Sequence, residues 1–222
     1  MQPLGARVGW ITVTRAQPRR RTGNSAGEAR RSRILHAALL EFAENGYRGS
    51  SLAAIATRVE LTQAGLLHHF PSKQHLLIAV LELRDELDAE RFGLLRNRDR
   101  TGTEQLRALV DLVEHNARVP GLVQLFTVIS AESVTPGHPA QAWTVARYRR
   151  LRADLADGLR RAAASGEFRS DLDADAQAER VFAMMDGLQL QWLLDPERVD
   201  MPGLFGAFVE DLLDRLRPSG TQ

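Results

Sequence analysis

Between Thr62 and Lys73 the chain carries hydrogen-bonding side chains on a spacing that suits contact with a nucleic acid. At about 100° per residue on a helix, Gln63, Ala64, Leu67 and His68 share one side, while Leu66 and Phe70 point to another. The first side is short, mostly small or polar, and free of acids. The amide of Gln63 and the imidazole of His68 offer donors and acceptors to base edges, and the major groove admits one α-helix. Lys73, the only lysine, stands in the first turn of the next helix. The helix dipole disfavours a cation there, and a phosphate would offset that cost.

Other chemistries find less support. His68, His69 and His75 invite a metal reading, but helical ligand pairs sit at i, i+4 on one face. His68 and His69 are adjacent, and Pro71 separates them from His75, so no metal is expected. Ser130, Glu132 and Ser133 are polar neighbours with nothing to orient them, and no glycine-rich phosphate loop occurs. No catalytic residue and no cofactor is assigned. With no cysteine there are no disulfides or thiolate nucleophiles.

The elements that hold the outward side follow from period and punctuation. Leu52, Ile55, Ala56 and Val59 form the apolar face of a first short helix, which Ser50 or Ser51 can cap. Glu60 and Leu61 make a turn. Thr62 caps a second helix, which runs through about His69 and stops before Pro71. Upstream, Glu28 to Asn45 reads as a helix with Ile34, Leu35, Ala38, Leu39 and Phe42 as its stripe. Arg30, Arg31 and Arg33 at its start fit a phosphate neighbour or an ordinary solvated face. Gly46 fits the left-handed position that ends such helices.

Gly46-Tyr47, Ser50-Ser51, Ile55-Ala56, Leu61-Thr62 and His69-Phe70-x-Ser72-Lys73 together resemble the DNA-binding domain of tetracycline-repressor-type (TetR/AcrR) regulators, over about Arg30 to Leu77. The resemblance implies DNA contacts from Arg48, Ser50, Thr62, Gln63, Ala64, Gly65, Leu67, His68, His69 and Lys73, with His69 donating to a phosphate. Three positions depart from the family pattern. Val59-Glu60 replaces the usual Ala-Gly, so the turn forms without glycine. Ala64 stands where glycine is usual. Leu67 replaces a phosphate-binding tyrosine, and leucine cannot donate, which leaves a thymine methyl as its contact.

The charge pattern agrees with this placement. Residues 1–24 hold five arginines and no acid, residues 25–73 six bases and four acids, and the remainder 18 bases and 24 acids. Positive charge thus sits near the helix pair and negative charge away from it. Residues 1–27 read as a disordered basic arm, or as one that reaches the minor groove. No apolar run is long enough for a membrane span, so a cytoplasmic chain with no membrane partner is expected.

The rest of the chain, residues 73–222, reads as a helical bundle. A helix from Lys73 to about Asn97 would be roughly 37 Å long at 1.5 Å per residue and could carry movement between the halves. Thr101 and Glu104 form a possible capping box. Helices follow toward Pro120, over Leu122–Ala131, from Pro139 to about Ser165, to about Leu194 and to about Arg217. Arg147, Arg149, Arg150 and Arg152, followed by Asp154 and Asp157, read as a solvated face. Leu125, Phe126, Trp143, Gln189 and Trp192 are either plain core or the wall of a ligand pocket between helices. The last two helices are apolar nearly all round, and such helices must be covered on more than one side. Met184, Leu188, Phe208 and Leu212 belong either to fully buried helices of a monomer or to a two-fold homodimer interface, and the family resemblance favours the dimer.

The expectation is an all-α chain: a three-helix helix-turn-helix unit over residues 28–72, then a ligand-binding and dimerisation bundle. Its partners would be double-stranded operator DNA, a small-molecule effector and a second copy of itself. A helical enzyme or carrier using the same apolar cavity, and an architectural DNA binder without ligand, are the alternatives.

Overall fold

The computed structural model describes residues 25–92 and 100–218, so residues 1–24 of the expected basic arm (residues 1–27) and the expected end of the long helix near Asn97 lie outside the described residues, while residues 25–27 are helical rather than part of an arm. Among the described residues there are nine helices and no strand. They are α1 (Ser25–Gly49), α2 (Leu52–Arg58), α3 (Gln63–His69), α4 (Lys73–Phe92), α5 (Gly102–Asn116), α6 (Pro120–Glu132), α7 (Gln141–Ala164), α8 (Ala174–Leu194) and α9 (Met201–Leu216).

Local chemistry sets most boundaries. α1 starts three residues before the expected Glu28 and breaks at Gly46, whose φ of 68° and ψ of 169° belong to a region that only glycine enters freely. Ser51, rather than Ser50, caps α2, accepting the Ala54 N–H at 3.0 Å. Thr62 caps α3, accepting the Gly65 N–H at 3.1 Å. The turn between them forms without glycine because Glu60 takes a φ of 57°. For a residue with a Cβ that left-handed pose costs about 1–2 kcal/mol. The capping box of α5 is complete: Glu104 N–H donates to the Thr101 hydroxyl at 3.2 Å, and Thr101 N–H donates to the Glu104 carboxylate at 2.9 Å.

Packing yields two apolar cores. The first holds Ile34, Phe42, Ile55 and Leu66 from α1–α3, together with Leu76, Leu77, Val80 and Leu81 from α4. It also takes Leu125 and Ile129 from α6, so it does not stop at residue 72. The second joins α5, α7, α8 and α9 around Leu106, Leu159, Val181 and Phe205. α6 reaches α1 because Gly121 has no side chain: a Cβ there would lie 2.6 Å from the Ala43 carbonyl oxygen. No residue but glycine permits that approach without a backbone shift.

Gly121→Ala should therefore push α6 off α1 and destabilise the chain by about 1–3 kcal/mol. At roughly 2–4 °C per kcal/mol for a chain of this size, thermal melting will show it, and an unchanged midpoint would mean that the seat has slack.

Candidate nucleic-acid interface and interior cavity

α3 presents the face read from its period. Thr62, Gln63, Ala64 and His68 are exposed, and Gly65, Leu67 and His69 are half-buried. Leu66 and Phe70 are buried in the first core. The Thr62 hydroxyl is committed to the cap, so it contributes to the face mainly by aiming the helix. Two contacts that the sequence reading missed fix the pair against α1. Arg58 of α2 binds Glu41 at 2.9 Å and also Glu44. Arg31 of α1 lies 4.8 Å from the centroid of the Phe70 ring. The signal for the first was available as a buried acid, Glu41, within the stripe of α1.

Three residues expected at the DNA surface have internal partners. Ser50 is 5% exposed. Its hydroxyl lies 2.6 Å from the Gly46 carbonyl and 3.1 Å from the Glu41 carbonyl, so its one proton serves these two acceptors. It ties the loop after α1 to the helix and cannot face DNA. The Lys73 ammonium donates to the Ser50 carbonyl at 2.6 Å and to the Arg48 carbonyl at 3.5 Å, and sits 4.6 Å from the Tyr47 ring centroid. Burial lowers the pKa of its ammonium below the usual lysine range. These two carbonyls hold the cation at that position. Arg48 is exposed, with 86% of its side chain accessible, but pairs with Glu132 at the end of α6 at 3.0 Å. His138 Nε2 lies 3.7 Å from the other oxygen of Glu132.

A cavity of about 260 Å³ opens among α4, α5, α6, α7 and α8. Of the expected wall residues it includes Phe126 and Gln189. Leu125, one residue from Phe126, faces the first core instead, and Trp143 packs against that same core. Trp192 packs on the second core and does not reach the cavity. The wall is also more charged than its apolar sequence context implied. Arg84 of α4 donates to Asp88 at 2.7 Å and to Asn116 of α5 at 2.6 Å. Asp85 binds Arg147 and Arg150 of α7, each at 2.8 Å, so the half-buried Arg147 is part of the cavity wall rather than a solvated face, while the exposed Arg150 reaches the cavity from the solvated side. Tyr148 donates to Asp186 of α8 at 2.7 Å. Burial and the neighbouring Asp186 carboxylate push the Tyr148 phenol up to about 12. Burial also raises the Asp186 carboxyl above the usual aspartate range.

On α8 and α9, Met184, Leu190, Leu194 and Leu204 are exposed and Phe208 is half-buried against the second core, an apolar strip of which Leu190 also lines the cavity. Leu188 and Leu212, expected on that strip, are only 7% and 1% exposed and belong to the chain's own second core. The helical period gives the angle between such residues but not which side meets the home core. Among the described residues no His, Asp and Glu group is arranged to hold a metal, and no helix is long and apolar enough to cross a membrane.

The raised Asp186 carboxyl has a stability consequence. The folded chain holds that proton more tightly than the unfolded chain, so ionising it costs stability once pH rises through the folded pKa. Asp186→Asn should therefore melt higher than the parent at neutral pH, with an advantage that shrinks as pH falls. Melting temperatures of both proteins across that range check it, and a constant offset would contradict it.

Known proteins resemble the chain over both halves. The family model for bacterial regulatory proteins of the tetR family matches residues 34–80, and that for the C-terminal part of BetI-type transcriptional repressors matches residues 103–218. The transcriptional regulator TtgR of Pseudomonas putida is 28% identical over 216 residues, covering 90% of this chain and 97% of its own. A putative transcriptional regulator of Saccharomonospora viridis, solved in complex with choline, is 30% identical with a TM-score of 0.67, over 83% of this chain and 96% of its own. A TetR-family regulator of Agrobacterium tumefaciens is 26% identical with a TM-score of 0.68, over 86% of this chain and 98% of its own.

Proposed function

Because the chain belongs to the TetR family of bacterial regulatory proteins, as a ligand-responsive DNA-binding repressor whose second half is of the BetI type, we propose that two copies read a palindromic operator through α3 and let go when a small molecule enters the cavity. The observation that carries the reading is the face of α3, exposed at Gln63, Ala64 and His68 while Leu66 and Phe70 anchor its back. Gln63 and His68 read base edges, Leu67 touches a thymine methyl, and His69 donates to a phosphate. Ala64 and Gly65 keep the helix surface low enough to enter the groove. Arg48 exchanges Glu132 for a phosphate on binding. Ser50 and Lys73 act one step back, by holding the loop that carries Arg48.

The exposed apolar side chains of Met184, Leu190, Leu194 and Leu204, beside the half-buried Phe208, support a homodimer, since exposed apolar surface of this kind marks a partner site. Two-fold symmetry would set the α3 helices about 34–36 Å apart, one turn of the duplex. Entry of a ligand into the cavity would favour a pose of α4 that spoils this spacing. The operator lies in the cytoplasm, where such a repressor would act.

Binding titrations against varied operators test the α3 assignment. Gln63→Ala and His68→Ala should change base preference by about 1–3 kcal/mol at one position each. Ser50→Ala should lower thermal stability and leave base preference intact. If all three variants weaken every sequence alike, the assignment of the outward face is wrong. Met184→Asp should place an unpaired carboxylate in the strip, and sedimentation should then show monomer where the parent shows dimer. A parent that sediments as a monomer at micromolar concentration would remove the two-copy reading.

A further inference from the structure

Among the described residues, three buried side-chain polar atoms have no hydrogen-bond partner: Arg84 Nη1, Gln105 Oε1 and Thr127 Oγ1. The three residues stand on α4, α5 and α6, and all of them line the one cavity. Buried polar groups in folded proteins are nearly always paired, so three orphans on one wall mark a place where the partner comes from outside the chain.

The chemistry of that partner follows from the orphans and from the charges around them. Arg84 is 5% exposed, and Asp88 and Asn116 hold its Nε and Nη2, so the guanidinium cannot turn to satisfy Nη1 elsewhere. A guanidinium only donates, so the missing atom is an acceptor. The Thr127 hydroxyl can donate to the same ligand, whereas Gln105 Oε1 only accepts and calls for a ligand N–H or O–H in addition to the oxygen. Arg84, Arg100, Arg147 and Arg150 on the wall balance Asp85, Asp88, Asp154 and Asp186, so an ionised ligand would bring a buried charge with no surplus opposite charge to meet it. Of the aromatic rings on the wall, Phe126 already meets cations: the Arg84 and Arg147 guanidiniums lie 5.5 and 5.1 Å from its ring centroid.

Taking the effector role of the cavity as premise, we propose that the ligand is an uncharged molecule whose carbonyl-type oxygens take the open donors of Arg84 and Thr127, with an apolar body against Leu109, Phe182 and Met185.

Four probes of similar shape separate the possibilities on the full chain: butyrophenone, 4-phenylbutyrate, 4-phenylbutylammonium and butylbenzene. Ligand-observed NMR should give butyrophenone the lowest Kd, about tenfold below butylbenzene, as one hydrogen bond to a charged donor would give. Thr127→Val, nearly the same shape, should narrow that gap about threefold while its melting temperature stays within that of a conservative change. A ketone no better than the hydrocarbon, or weaker than either ion, overturns the proposal and leaves the cavity reading in place. A ketone preference untouched by Thr127→Val also overturns it, because the oxygen then sits elsewhere. If no probe binds, the cavity reading itself fails. A probe that binds as expected yet leaves operator affinity unchanged keeps the ligand chemistry and removes the effector role.

Discussion

The two halves of this chain are joined by the seat of α6 on α1. One face of α6 delivers Leu125 and Ile129 to the core that supports α3. The opposite face delivers Phe126, Thr127 and Ser130 to the cavity. Gly121 sets how closely the helix lies, since its α-carbon approaches the Ala43 backbone with no side chain between. The same helix ends in Glu132, which holds Arg48 beside the nucleic-acid face. A side chain displaced on one face of a packed helix is felt on the other, because close-packed interiors transmit strain rather than absorb it. α6 therefore stands beside α4 as a mechanical link between the cavity and α3.

α4 makes the second link through charge. Arg84 joins α4 to α5 through Asn116 and packs its guanidinium near Phe126 of α6, while Asp85 draws in Arg147 and Arg150 of α7. Breaking one partner of such a buried set leaves an uncompensated charge and is strongly destabilising, so these helices hold a narrow range of relative positions. Tyr148 and Asp186 extend the set to α8, the helix that also carries the exposed apolar strip. These pairs thus run along the cavity wall from α4 through α7 to α8.

Much of this was legible in the sequence, and what was not has a common cause. The split of α3 into an outward Gln63–His68 face and an inward Leu66–Phe70 face is a helical period, set by residues within two turns. The Thr101–Glu104 capping box is local in the same way. The internal partners of Ser50 and Lys73 are not legible locally, because they are carbonyls reached only after the chain turns at Gly46; the Lys73 acceptors lie 23 and 25 residues away. Leu125 and Phe126 are neighbours on one apolar helix, and periodicity separates their directions without naming the core that each one meets. The same ambiguity exchanged Leu188 and Leu212 with the truly exposed Leu190, Leu194 and Leu204. The cavity wall draws on five helices, and no window of sequence contains it.

The composition of the first core also bears on how the chain is made. Its helices α1 to α3 are complete by His69, yet Leu125 and Ile129 close it. During synthesis at about 5–20 residues per second, N-terminal units fold first. Here that unit must wait several seconds, with the α6-facing side of α1 and α4 uncovered, until α6 has cleared the ribosome. An unfinished apolar surface held open for that time is a natural client for a chaperone, and a chain interrupted before α6 is left with its apolar side bare.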